Sequence, residues 1–427
     1  MNLFGKLWTT LFVVVSQAGI GDAELKPWIR AHSVNLMSLS SPAFSKDYPG
    51  FDLPIPSETR LVAFGEEVHG VGTLIEIKAQ VFRWLATKRG FDTFVLEDDF
   101  AACLAVDEFI QGRGEAKSPP ISSLYWCWNN RDIADLVLWM REFNAHRPKA
   151  SRPLRFFGID MQSSAAAIAW LSRYLAEKQP ELWSANEAAL LAMRDKGWTL
   201  AQLPPEEFGL ITAALNELER ALGAATANTP DSATLDDRAP ARRLVRTLQQ
   251  HAEFQLAMKA PDVTSFGLRD RFMAENARWV LKQQGAESRV AICTANAHAS
   301  LKNYPVNWQG TTGTVNSMGS FLRAELGAGY LAVGLFRNQG EYLPDPRSGS
   351  KGVAQVDAAA EGTINAGLAS AGIERDWISL AAAPTDSPAA KWLNTEHPQI
   401  FYEAIAPAVQ FDHLIFADHT RAPHKVE

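Results

Sequence analysis

Apolar residues along this chain fall into two alternating patterns. Short unbroken runs at 61–64, 93–96, 154–159, 290–294, 330–336 and 413–416 read as strands buried on both faces. Between them, apolar positions recur at helical spacing. Leu74, Ile77, Val81, Phe82 and Leu85 mark a helix over 74–88, which Arg89-Gly90 ends. Further helices are predicted over 100–111, 133–144 and 268–284. Strand, helix and strand in succession make a βαβ unit, which implies a parallel pair. From Ser164 to about Ala260 the chain is rich in Ala, Leu, Glu and Arg, and shows no strand pattern. It reads as inserted helices, broken near Pro204-Pro205 and again between Ala224 and Pro240.

The expected architecture is therefore α/β, a three-layer α/β/α core with a mostly parallel sheet and an inserted helical subdomain. Its parts are a first core portion over 24–163, the helical insertion over 164–265 and a second core portion over 266–427. The first residues stand apart. Lys6, the apolar run Leu7 to Val15 and Gly21-Asp22-Ala23 have the order of a secretory signal peptide spanning 1–23. The run is short for a bilayer span. The expected product is secreted or periplasmic, with no stable membrane anchor after signal cleavage.

Composition changes this picture little. Of the 427 residues, 47% are hydrophobic and 21% charged, as in ordinary globular proteins. The net charge of −7 offers no electrostatic reason to expect nucleic acid as a partner. The three cysteines, Cys103, Cys127 and Cys293, permit at most one internal disulfide, with Cys103 and Cys127 the pair left open. The 13 tryptophans are many for this length and fit core packing or an apolar pocket.

The polar residues that close the apolar runs carry the chemistry. Glu66 and His69 follow the first strand, Glu97 ends the second, Asp160 the third, and Asn296 and His298 lie just past the fourth. In a parallel sheet these ends share one edge, where open α/β sheets bind ligands. His69 is the natural general base, because an imidazole titrates near neutrality. Glu66 and Glu97 are placed to orient it, and His298 to bind or polarise a substrate oxygen. Lys78, Asp160 and Asn296 complete the expected site as substrate-binding residues. No GxSxG elbow surrounds a serine, and Ser317 lacks the strand-turn-helix context of one. HExxH is absent, as is a phosphate-binding glycine loop, so no metal or other cofactor is assigned.

Several of these motifs, in this order, resemble the erythromycin esterase family. GEEVHG at 65–70 is similar to its GExxHG signature. Colinear agreement follows in IEIKAQVFRWL at 75–85, GFDTFVLE at 90–97, WMREFN at 139–144, FFGIDMQ at 156–162, RDRFMAENARWVL at 269–281, NAH at 296–298 and SMGSFLR at 317–323. The resemblance implies a hydrolase of a small-molecule ester or lactone, in some members a macrolide antibiotic. It implies water activated by His69, with Glu66, Glu97 and His298 as its partners, and no obligatory metal. The chain departs from the family at Gly72 and Thr73, where an arginine and a glutamate are usual, at Lys78 in place of arginine, and at Ala295 in place of a histidine. Glu76 lies one helical turn on from the missing acid. These departures bear on macrolide specificity more than on hydrolysis. A ligand-binding protein and a metal-dependent hydrolase using the same cleft are the alternative readings.

Overall fold

The computed structural model describes residues 22–40, 51–113, 116–148, 151–224, 238–260, 262–308, 310–381, 383–399 and 404–426. Most of the expected signal segment lies outside them; Asp22 and Ala23 already open the first helix. The strands are Ser33–Asn35 (β1), Leu61–Phe64 (β2), Thr93–Asp99 (β3), Arg155–Asp160 (β4), Val290–Cys293 (β5), Tyr304–Trp308 (β6), Thr311–Val315 (β7), Tyr330–Tyr342 (β8), Ala354–Val356 (β9), Arg375–Ser379 (β10) and His413–Thr420 (β11). The helices that bear on the site are Asp22–Ala31 (α1), Gly72–Lys88 (α2), Phe100–Ile110 (α3), Arg131–His146 (α4), Ala165–Lys178 (α5), Pro180–Lys196 (α6), Pro205–Ala224 (α7), Ala239–Ala257 (α8), Thr264–Gln283 (α9), Asn296–Ala299 (α10) and Met318–Leu326 (α11).

The main sheet runs β1-β10-β11-β8-β2-β5-β3-β4, and β9 pairs with the far end of β8. From β11 through β4 every pairing is parallel. β10 and β1 are antiparallel additions at one edge. A mixed α/β fold with a mostly parallel sheet is thus present. The period of two along β2 divides the core. Leu61 and Ala63 join the apolar cluster on one face with residues of α5, α8 and α9. Val62 and Phe64 join the cluster on the other face with residues of α2 and α4. Such doubly covered strands need continuous apolar runs, which is why β2 and β5 are buried throughout.

Among the described residues four helices, α5 to α8, stand in the chain between β4 and α9, with α7 beginning at Pro205; the expected break between Ala224 and Pro240 lies mostly outside the described residues. Asn276 ties α9 to the sheet, its Nδ2 donating to the Ile159 carbonyl at 2.7 Å. That anchor holds the middle of α9 beside the end of β4. The antiparallel strands β1, β9 and β10 and the β6–β7 hairpin were not expected from the sequence. β1 and β9 are three residues long, and β7 alternates between half-buried and exposed positions, so neither makes an apolar run. All three cysteines are buried free thiols. Among the described residues no helix is long and apolar enough to cross a membrane.

Candidate active site

Because β2, β3, β4 and β5 are parallel, the residues that follow or close them meet at one sheet edge. The loop after β2 is pinned at both ends. Gly65 N donates to the Val333 carbonyl at 2.8 Å, and Leu343 N donates to the Gly70 carbonyl at 2.8 Å. Gly70 has φ +80°, a conformation that favours glycine. Gly65 lies directly against the Asn296 side chain, leaving no room for a Cβ. Between these pins His69 Nδ1 meets Glu66 Oε1 at 2.6 Å. Glu66 Oε2 accepts from Lys78 Nζ, also at 2.6 Å. Glu66 and Lys78 are buried, whereas the His69 side chain is 26% exposed. Lys78, projecting from α2, is therefore buried against Glu66, with its ammonium 5.6 Å from the centre of the Trp128 ring.

Glu97 sits at the centre. Its Oε1 accepts from Arg269 Nη2 at 2.7 Å and lies 3.4 Å from His298 Nε2 and 3.7 Å from His69 Nε2. Its Oε2 accepts from Thr294 Oγ1 at 2.7 Å and from Ala295 N at 2.8 Å. Burial pushes the Glu97 carboxyl up, but the charges of His298, Arg269 and His69 outweigh it and hold the group well below the ordinary range. The next two residues of β3 behave differently. Among the described residues Asp98 and Asp99 pair with no cation, and burial raises both, Asp99 to about 7. Only Glu97 of this acidic trio is a committed carboxylate within the cluster.

Asp160, at the end of β4, accepts from Arg269 Nε at 3.2 Å and Nη2 at 2.7 Å. Its second partner set is the Met161 amide and the Gln162 side chain, so it has no free face toward a ligand. Asn296 likewise spends its side-chain amide on β8. Its Nδ2 donates to the Leu335 carbonyl and its Oδ1 accepts from Leu335 N, both at 3.0 Å. The structure thus brings Glu66, His69, Lys78, Glu97, Asp160, Asn296 and His298 to one edge. Of these, His69 is the most exposed.

Two residues of the cluster were missed in reading the sequence, because they lie on a helix and not at a strand end. Arg269 and Asp270 stand together near the start of α9. Arg269 Nη1 lies 2.9 Å from His298 Nε2. Asp270 accepts from His298 Nδ1 at 2.9 and 3.0 Å. The signal was the adjacent Arg-Asp pair seven and six residues before Asn276, which places Arg269 on the same helix face as the anchor.

Four carboxylates, Glu66, Glu97, Asp160 and Asp270, face two fixed cations, Lys78 and Arg269. This excess of negative charge pulls both imidazoles toward protonation. For His69, burial works downward, but the Glu97 charge and the hydrogen bond to Glu66 outweigh it and bring the group up to about 10. For His298, burial and Arg269 work downward, while Asp270 and Glu97 raise it to about 9. Among the described residues no group of three or more histidine, cysteine or carboxylate side chains is disposed to hold a metal ion.

Comparison with known proteins places this cluster in context. The family model for erythromycin esterase matches residues 86–420. The chain belongs to the erythromycin esterase family. It is 21% identical to erythromycin esterase type II of Escherichia coli over 364 residues, covering 78% of this chain and 83% of that protein. It is 22% identical to the putative hydrolase YbfO of Bacillus subtilis (strain 168) over 419 residues, covering 92% of this chain and 90% of that protein. Its fold is shared with a mutant of the erythromycin esterase EreC in an open conformation. There the TM-score is 0.62 and the identity 15%, covering 87% of this chain and 93% of that one. Family membership makes a hydrolase the expected general class.

Proposed function

We propose that this member of the erythromycin esterase family hydrolyses a carboxylic ester or lactone with water activated by His69. The observation that carries the reading is the Glu66–His69 pair. One imidazole nitrogen is fixed by a buried carboxylate at 2.6 Å, and the ring is the most exposed titratable group of the cluster. In this reading a neutral His69 takes a proton from water at Nε2 while Glu66 holds the Nδ1 proton. The hydroxide adds to the ester carbonyl, and His69 returns the proton to the departing alkoxide. The oxyanion of the tetrahedral intermediate falls to Arg269, a cation whose side chain is 14% exposed, against 2% for Lys78. Trp128, buried and edge-on to the His69 ring at 5.7 Å, packs against the base from behind.

The test is hydrolysis of a panel of simple esters, lactones and macrolides by wild type and His69→Ala. General-base loss predicts a fall of about 10²–10⁴-fold in kcat in a protein that still folds. Equal rates in both proteins would remove His69 from the mechanism. No turnover of any ester by wild type would remove the hydrolase reading for this panel's chemistry.

A further inference from the structure

The second imidazole–carboxylate pair has a different construction from the first. His298 is 9% exposed and has hydrogen-bonding partners at both ring nitrogens. On one side Asp270 takes its Nδ1. Asp270 is itself fixed, accepting from Tyr304 Oη at 2.7 Å and from Met318 N at 2.6 Å. The Tyr304 ring stands edge-on to the imidazole at 6.0 Å. Tyr304 comes from the β6–β7 hairpin and Met318 from the start of α11, so three separate elements converge on one carboxylate. On the other side Arg269 aims Nη1 at His298 Nε2 from 2.9 Å.

A guanidinium only donates. The atom it meets must therefore carry a lone pair, which puts the imidazole proton on Nδ1, toward Asp270. Up to about pH 9, Asp270 and Glu97 favour a second proton on His298. That proton, on Nε2, would turn to Glu97 Oε1 at 3.4 Å and break the Arg269 contact, because two N–H groups would then face each other, so the contact belongs to the neutral ring. Arg269 and Asp270 are consecutive residues, so the chain Arg269–His298–Asp270 closes a ring through the α9 backbone. The remaining guanidinium bonds, to Asp160 and Glu97, fix the opposite edge of the same plane.

We propose that Asp270, held by Tyr304 and the Met318 amide, is a positioning residue that locks the neutral His298 ring as the Nδ1–H tautomer, and that this ring in turn aligns the Arg269 guanidinium. The relay Tyr304–Asp270–His298–Arg269 gives His298 a role in orienting a cation, separate from the water activation assigned to His69. This inference rests on the hydrolase reading for its kinetic consequence, but not for its structural content.

The two are separated by the experiment. Long-range ¹H–¹⁵N correlation of the histidine rings, recorded on the alkaline side of the His298 titration, identifies the tautomer without any substrate. The wild type is expected to show Nδ1–H at His298, with its assignment made by comparison with His298→Gln. An Nε2–H tautomer in wild type overturns the proposal, whatever the enzyme's activity. Asp270→Asn is expected to reverse the tautomer and to lower kcat by about 10²–10³-fold, the loss typical of one misplaced oxyanion donor, with KM little changed. A folded Asp270→Asn protein with wild-type kcat on an ester that wild type hydrolyses would also overturn it. Should Asp270→Asn fail to fold, Tyr304→Phe removes one of the two bonds that orient Asp270. It is expected to lower kcat several-fold at constant KM, and an unchanged kcat there counts against the relay.

Discussion

At the scale of single residues, the distinctive property of this site is that its histidines are held toward the cationic form. A general base has to be neutral, and burial among carboxylates keeps His69 protonated up to about 10. The sign follows directly. If neutral His69 activates water, kcat/KM rises with pH through neutrality and levels off only near 10. If cationic His69 were instead needed as an acid, kcat/KM would fall over the same range. A pH–rate profile of wild type decides between these, and Glu66→Gln should move the limb to lower pH by removing one of the groups that hold the proton. The same residue allows a second prediction about stability. Glu66 and Lys78 form a buried pair at 2.6 Å, so Glu66→Gln leaves an uncompensated buried ammonium and should cost about 3–5 kcal/mol in denaturant melts. Adding Lys78→Met should recover much of that loss without recovering activity. Recovery of both would show that Glu66 serves only to neutralise Lys78.

At the scale of elements, the sequence was most legible where the fold leaves a residue no choice. β2 and β5 are buried on both faces, and their apolar runs marked them at their true positions. The helices α2, α4 and α9 were visible because each has one apolar face. β1, β9 and the β6–β7 hairpin were not, since edge strands of three to five residues, partly exposed, carry no periodic signature. Within the site, strand ends exposed Glu66, His69, Glu97, Asp160 and His298 to inference. Arg269 and Asp270 were hidden because they lie within α9, where only their spacing from Asn276 marks the face that docks on the sheet. The unusual Gly72 and Thr73 also acquire a reason. Arg421 N donates to Thr73 Oγ1 at 2.9 Å, and the Arg421 carbonyl accepts from Thr73 N, supplying the cap that Val71 does not. The Arg421 guanidinium bridges Asp132 and Glu76 over Gly72, where a Cβ would lie 2.6 Å from the Ala422 carbonyl. Glu76 is thus engaged by Arg421 and Arg375, and points to no vacancy left by the missing acid. Gly72→Ala should therefore destabilise the protein by about 1–3 kcal/mol, the usual cost of overpacking. An unchanged melting temperature would show that the 421–423 segment shifts freely.

At the scale of the whole molecule, the charges that build the site set a limit on the conditions under which it is stable. A group whose folded pKa lies above its ordinary value stabilises the fold at low pH, and that contribution is lost as pH rises through the folded value. His69 runs from 6.5 to about 10 and His298 from 6.5 to about 9, so both withdraw stability across the alkaline range. Glu67, buried beside Arg337 and raised by that burial from 4.5 to about 7, withdraws its share earlier. On the acid side the sign reverses. Burial lowers His413 from 6.5 to about 4, so its contribution is complete above 6.5 and is lost as pH falls toward 4. Glu97, held well below 4.5, loses its contribution at still lower pH. Thermal stability is therefore expected to peak on the acid side of neutrality and to decline steadily from there toward pH 10. The pH–rate profile for a neutral His69 climbs over that same interval. Activity and stability should thus run in opposite directions, and the same ionisation of His69 should appear in both. Thermal melts of wild type and His69→Gln across this range test the coupling. The variant should lose the part of the alkaline decline that His69 contributes while keeping the acid flank set by His413. A variant whose melting temperature follows the wild-type curve throughout would mean that the Glu66–Glu97 environment does not hold the His69 proton in the folded state.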